Sequence, residues 1–468
     1  MKNGICLFLL ITAALPLAAQ TVDLTKPPVS KEARAYKLPP VTESKLPNGL
    51  TILVAEDKRF PLVTARLVFL AGNKRDPKDL PGLAASVAAM LMQGTSKRPY
   101  QQIAEELDSL GGVMSAATGA DSLNIEASVL SENTAQVLEL MADVARNAIF
   151  PAQEIELHKQ NRKQTLIAQH TQPAFLANEE WRKVLFGDTP YAHVGPTSES
   201  IDKLDRKALE DYRDTYLVPN NAYLILVGKL PARAQLTKTI ADQFGSWDQK
   251  KIPAYTAPKA PEAKRELVLV DRPGSVQADM RIGKIAATYN DPDYFPENVG
   301  STIEGGGPNS RLFLDIREKR GFAYDVHTEI GALADAGTFA TVTQVRNEVV
   351  GDALEGILGH LDRMATEPVA RQELTEAKTY ANGVFLLSME PQRGLADRLV
   401  QMKVMNLPKN YLETYTTKIN SVEPDQIEAA AKKAMATSNA SIVVVGDAAA
   451  IEKPLEKFGT VRVVKPAQ

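Results

Sequence analysis

The chain has a single cysteine, Cys6, in 468 residues, and that residue lies in an apolar stretch at the extreme N-terminus. Removal of that stretch leaves no thiol, which excludes disulfides, thiolate metal sites and a cysteine nucleophile, and suits an oxidising compartment. Histidine is scarce too. The five histidines, His158, His170, His193, His327 and His360, include no two spaced two, three or four residues apart, so no short-range zinc pair exists. Long apolar runs are also missing: beyond the N-terminus no stretch of about 18 residues could span a bilayer, and stable membrane insertion is not expected. Charge of one sign is not in excess, with 54 Lys and Arg interspersed among 57 Asp and Glu, so no nucleic-acid partner is expected.

The N-terminus itself has the layout of a secretory signal: Lys2, an apolar run from Ile5 to Leu15, Pro16, then Ala18-Ala19 before Gln20. Residues 1–20 are read as a signal peptide, and the mature chain as exported across an inner membrane to the periplasm. Its loss takes the formal charge from −3 to about −4, through Lys2. Residues 21–45, rich in Pro and Lys, read as an extended arm.

Strands are expected at Thr51 to Ala55, Leu62 to Ala71, Val113 to Thr118 and Ser122 to Val129. Helical periodicity covers Gly82 to Thr95, Tyr100 to Leu110, Glu132 to Ala148 and Pro151 to Ala168. Residues 250–265 carry no periodic apolar face and read as a linker. The chain after this linker repeats the chain before it. Pro151-Ala-Gln-Glu-Ile-Glu-Leu resembles Pro368-Val-Ala-Arg-Gln-Glu-Leu, Leu224 to Gly228 resembles Ile442 to Gly446, and Asp76-Pro77 resembles Asp291-Pro292, at offsets of 217, 218 and 215. Three matches in one order at nearly one spacing imply a tandem duplication. The expected fold is α+β, two tandem homologous domains (46–249 and 266–463), each a largely antiparallel sheet packed with helices, with a tail at 464–468.

The segment from Gly82 to Thr95 is uncharged and mostly alanine, which on its own describes a buried packing helix. Its frame is more specific: Gly82-Leu-Ala at the front, Met90-Leu-Met-Gln-Gly-Thr95 and Ser96-Lys97-Arg98 behind. That frame resembles the zinc helix of the pitrilysin/insulinase family of metallopeptidases, in its mitochondrial-processing-peptidase-like branch, and the resemblance extends from about Leu46 to Val463. The family's interior reads His-x-x-Glu-His, two zinc ligands one turn apart with a general base between them. Here those places hold Ala85, Ala88 and Ala89. The family's distal glutamate ligand falls at Thr165 and a supporting glutamate at His158, itself read as a solvated helix residue, as His193 is read as a solvated loop residue. The resemblance therefore implies no metal in this chain, and zinc in a partner.

The second half keeps what the first has lost. Ser310 to Tyr324 resembles the family segment in which an arginine and a tyrosine seven residues later reach a bound substrate; here they are Arg317 and Tyr324. A guanidinium and a phenol can donate hydrogen bonds to a peptide carbonyl and to the oxyanion formed on it. Gly305-Gly306-Gly307 resembles part of the glycine-rich loop of the non-catalytic processing-peptidase subunit, which implies contact with substrate. Met114 to Thr118 corresponds to the family's substrate-pairing edge strand, with Ser115 where catalytic members carry Asn. Together these imply a non-catalytic subunit that binds peptide and completes, in trans, the active site of a homologous chain with intact His-x-x-Glu-His. The alternative is a catalytically inert peptide-binding or scaffold protein, as a homodimer or a complex core subunit.

Overall fold

The computed structural model describes residues 37–466, so the expected signal peptide and most of the arm lie outside the described residues. The first half runs β1 (Val41–Lys45), β2 (Thr51–Glu56), β3 (Leu62–Phe69), α1 (Leu83–Met90), α2 (Tyr100–Ser109), β4 (Val113–Thr118), β5 (Leu123–Leu130), α3 (Thr134–Asn147), α4 (Ala152–His170), α5 (Pro173–Phe186), α6 (Ser198–Lys203), α7 (Arg206–Tyr216), β6 (Ala222–Gly228) and α8 (Arg233–Phe244). The second runs β7 (Glu266–Asp271), β8 (Gln277–Ala286), α9 (Tyr294–Gly305), a π-helical turn (Phe313–Lys319), β9 (Ala323–Ala332), β10 (Gly337–Arg346), α10 (Val350–Met364), α11 (Arg371–Ser388), α12 (Gln392–Val404), α13 (Tyr411–Asn420), α14 (Pro424–Ala434), β11 (Ser441–Gly446), α15 (Ala448–Leu455) and β12 (Val461–Val464).

The strands form two six-stranded sheets, ordered β1-β2-β6-β3-β5-β4 and β12-β7-β11-β8-β10-β9. From the second strand onward the two orders are the same, and the parallel pairs β2/β6 and β7/β11 sit at the same place in otherwise largely antiparallel sheets. The fold is thus α+β with two homologous halves. Only the outermost strand differs: β1 comes from before the first half and pairs antiparallel, β12 from the chain's end and pairs parallel. The last five residues of the expected arm are therefore ordered as β1, whose Glu43 meets Lys403 at 2.8 Å. Val464, placed in the tail, closes β12.

Periodicity explains the layers. In β5 burial alternates strictly along the strand, one face in the core and one half-open. β6 and β11, flanked on both sides, are apolar and almost wholly buried. Below the first sheet, Leu67, Phe69, Ile125, Leu224 and Leu226 meet Val87 of α1, Leu138 and Met141 of α3 and Phe244 of α8 in one core. The turn entering β2 needs Gly49 at φ 93°, where a Cβ would lie 2.7 Å from the Cβ of Asn220.

The other face of each sheet is covered by the opposite half. α5 lies on β7, β8 and β11, and its Leu176, Ala177, Trp181 and Leu185 share a core with Val268, Val270, Val443 and Val445. In return α12 lies on β3 and β6. There Asp397 Oδ1 is 2.5 Å from Arg66 Nη2, and Gln392 Nε2 donates to Asp57 O at 3.1 Å. The halves are interlocked, and the described residues from Leu38 onward form one compact unit.

Trp181 is 4% exposed. Trp181→Ala is expected to cost about 3–5 kcal/mol in urea denaturation. Fluorescence of the remaining Trp247 and far-UV circular dichroism should still change together; a half that unfolds separately would contradict the interlock.

Candidate functional site

The helix that the family uses for zinc is α1, shorter than its sequence suggests. The chain leaves the helix at Leu91 and, through Gly94 at φ 130°, bridges Gly94 to Pro99 and Thr95 to Ala148, so the expected end at Thr95 is a turn. Both ends are anchored by carboxylates, the half-buried Asp76 and the buried Asp143. Asp76 accepts the N–H groups of Gly82 and Ala84 at 2.7 and 2.8 Å, filling the exposed donors of the helix N-terminus. Burial pushes the Asp76 carboxyl up to about 7 against the pull of those amides. Behind the helix, Thr95 Oγ1 donates to Asp143 Oδ2 at 2.8 Å and accepts from the amides of Lys97 and Arg98. Arg98 then spans Asp143 at 2.8 Å, Glu106 at 2.9 Å and Glu139 at 2.7 Å. Burial opposes ionisation of Asp143, yet hydrogen bonds from Asn147, Thr95 and Arg98 hold it below the usual carboxylate range.

The residues that recognise the family are therefore brackets between α1, α2 and α3. The positions they frame are empty of donors. Ala85 is half-buried and Ala89 exposed, one turn apart on the outward side, while Ala88 is buried; the helix is not the wholly buried element that its composition suggests. Thr165 is exposed on α4 and its hydroxyl donates to Asn161 O at 2.9 Å. His158, expected in solvent, is half-buried because α4 packs on α1, α5 and α6; its Nε2 has no hydrogen-bond partner among the described residues. Burial, and secondarily Arg162, lower its pKa and favour the neutral ring. His193 is exposed, as expected. A methyl group offers a metal no lone pair, and among the described residues no group of three or more His, Cys, Asp or Glu side chains could hold a metal ion. The family's zinc does not fit this site.

The second half's counterpart of α1 is α9, which buries two glutamates. Glu297 accepts the amide of Ala287 at 3.0 Å; Glu304 is 0% exposed with neither oxygen hydrogen-bonded. Burial pushes both up to about 7. His360 lies between Glu304, with Nδ1 3.5 Å from Oε1, and Asp315, with Nε2 3.0 Å from Oδ2. Burial is the chief influence on its ring and lowers its pKa, so the contact with Glu304 is not an ion pair at neutral pH.

Arg317 and Tyr324 come together. Arg317 lies in the second half of the π-helical turn, Gly321 at φ 62° redirects the chain, and Tyr324 is the second residue of β9. The guanidinium lies 4.9 Å from the centroid of the Tyr324 ring and 4.5 Å from that of Phe313. Phe313, one helical turn before Arg317, is a platform not expected from the sequence, although its spacing of four made it legible. Tyr324 is 85% exposed, and β9 is a terminal strand of its sheet. The register explains the exposure: Thr343 faces Val326 and Val345 faces Ala323, so Tyr324 and Asp325 together oppose Gln344 alone. Such a bulge twists an edge strand and re-aims its side chains.

The other expected contacts divide. β4, like β9, is a terminal strand, with Ser115 and Ala117 exposed. Gly305 is buried in the last turn of α9, where a Cβ would lie 2.5 Å from Thr328 N, and a Cβ on Gly306 would lie 2.6 Å from Thr302 Cα. Packing thus accounts for these two glycines. Gly306, Gly307 and Pro308 line a surface cavity of about 200 Å³ beside Tyr380.

Two interlocked α+β halves, a bracketed helix with alanines at the zinc positions and an arginine–tyrosine pair at a sheet edge define a metallopeptidase fold. The chain belongs to the insulinase family, peptidase family M16: residues 51–192 match that family and residues 203–380 match the peptidase M16 inactive domain. It is 26% identical over 375 residues to a Rickettsia bellii protein described as an uncharacterized zinc protease, spanning 79% of this chain and 86% of that one. A crystal structure of a peptidase M16 inactive domain from Pseudomonas fluorescens superposes with a TM-score of 0.81 at 26% identity, covering 87% of this chain and 98% of that one. A Helicobacter pylori protease, 16% identical, shares the fold with a TM-score of 0.79 over 88% of this chain and 100% of that one.

Arg98→Ala strands the buried Asp143 and is expected to cost about 3–5 kcal/mol by denaturant titration. Glu304 gives a pH signature. Its pKa is near 7 in the folded state against 4.5 for the free side chain, so stability falls as pH rises from about 4.5 to 7. Glu304→Gln should therefore leave stability at pH 4.5 nearly unchanged and raise it at pH 8, by up to about 3 kcal/mol, in parallel melting scans.

Proposed function

We propose that the chain is the non-catalytic subunit of a heteromeric zinc metallopeptidase that cleaves peptides or unfolded polypeptides outside the inner membrane. The observation that carries this reading is the Arg317–Tyr324 pair: two hydrogen-bond donors held together by Phe313 and a β-bulge, with the phenol turned out to solvent. A side chain that served only the fold would bury its ring, and an exposed tyrosine on an unpaired edge is placed to meet another molecule. Ala85, Ala88, Ala89 and Thr165 cannot ligate zinc or activate water. The metal therefore comes with a homologous partner carrying intact His-x-x-Glu-His.

In this reading a peptide lies extended between the two chains, adding a strand to an edge by backbone hydrogen bonds. The partner's zinc supplies the polarised water. Arg317 and Tyr324 donate to the substrate carbonyl and to the oxyanion as it forms, and Gly307 and the residues after it flank the path.

The chain, mixed with an insulinase-family protein bearing His-x-x-Glu-His encoded beside it, should give zinc-dependent peptide cleavage that neither gives alone. Arg317→Ala or Tyr324→Phe in this chain should lower kcat of the mixture by about 10²-fold or more, with melting temperatures unchanged. Unchanged activity with both variants would overturn the trans role and leave an inert scaffold.

A further inference from the structure

A second feature stands beside Tyr324. The sheet face between β8, β9 and β10 holds a cavity of about 520 Å³, walled by Phe322, Tyr324, Asp325, Gln344 and Arg346, with Asp279 of β8 in its lining. Its volume falls within the roughly 300–1,000 Å³ of small-ligand sites. Asp279 is 5% exposed, and its Oδ1 has no hydrogen-bond partner. Among the described residues it has no ion pair either: Arg281, two positions along the same face, points to Glu329 at 3.5 Å. Burial pushes the Asp279 carboxyl up to about 6, with Arg281 opposing.

The fold does not require a carboxylate there. Asp279 pairs with Val445 of β11 as Thr64 pairs with Val227 of β6, and Arg281 occupies the register of Arg66. The first half thus builds the same strand with a neutral threonine. In that half the register's arginine is matched by Asp397 from α12, whereas in this one the acid is left facing open space. A buried carboxylate without an ion-pair partner is costly unless a cation meets it. The rings of Tyr324 and Phe322 already carry the guanidinium groups of Arg317 and Arg320, at 4.9 and 5.9 Å from their centroids, so Asp279 is the group that draws a further cation.

We propose that this cavity binds an organic cation, the guanidinium or ammonium of an arginine or lysine side chain in a peptide laid along β9, with Asp279 as its counter-charge. The identity of the carrier rests on the peptide-binding reading above; the pocket itself does not. Asp279 accepts the N–H groups of the cation, Tyr324 and Phe322 flank it, and the edge of β9 takes the peptide backbone. Arg346, one of the walls and hydrogen-bonded to Gly321 O at 3.4 Å, disfavours a second positive charge.

Calorimetric titration of the mature chain separates the possibilities. The probes are three blocked peptides alike except for one residue, Arg, citrulline or norleucine, and agmatine, a guanidinium without a peptide. The Arg peptide should bind about tenfold or more tightly than the other two, and agmatine should bind the wild type. Asp279→Asn should abolish both the preference and the agmatine signal; Asp279→Thr, the residue used in the first half, is the second variant should the asparagine fold poorly. Equal binding of all three peptides, unaltered by either variant, would overturn the cation pocket and leave peptide binding intact. Asp279-dependent agmatine binding without peptide binding would support the pocket and overturn the peptide as carrier. No binding of any probe would overturn both.

Discussion

Each sheet has one face packed by helices of its own half and a second face that those helices do not cover. The second face is covered only because α5 crosses onto the second sheet and α12 onto the first, carrying Trp181 one way and Asp397 the other. Burial of this kind contributes about 1.5–3 kcal/mol for each large apolar side chain, far more than the exposed ion pairs between the halves. Among the described residues β4 and β9 end their sheets, each paired on one side only. Such edges are where another chain can pair.

The same division between structural and chemical residues explains what was legible in the sequence. Gly82, Thr95 and Arg98 are recognisable because they fix α1 in place: Gly82 is held by Asp76 at the helix start, and Thr95 and Arg98 tie the segment after the helix to α2 and α3 through Glu106 and Asp143. At the three positions where the family carries its zinc ligands and general base, the helix has Ala85, Ala88 and Ala89. The duplication was readable because β6 and β11 are central strands with one apolar pattern. The exchange of α5 and α12 was not, since local periodicity says that a helix has an apolar face and not which sheet it covers.

The residues of the candidate pair were legible in the sequence and their geometry was not. Arg317 and Tyr324 sit in a recognisable segment, but the bulge that exposes the ring depends on a register shift against β10, which no local pattern encodes. His158 was misplaced in solvent because it neighbours Lys159, while helix packing decides its burial. Asp279 in a strand reads as one more surface charge. Its isolation follows from the partner that Arg281 takes instead.

The molecule therefore keeps the family's architecture, with alanines at the zinc-helix positions and an arginine–tyrosine pair at the edge of the second sheet. The proposed non-catalytic role is tested most directly by the zinc content of the purified mature chain, measured by plasma mass spectrometry after incubation with zinc and dialysis, alongside peptide cleavage by the same sample. The expected result is zinc far below one atom per chain and no cleavage. One firmly held zinc per chain with cleavage by this chain alone would contradict the assignment.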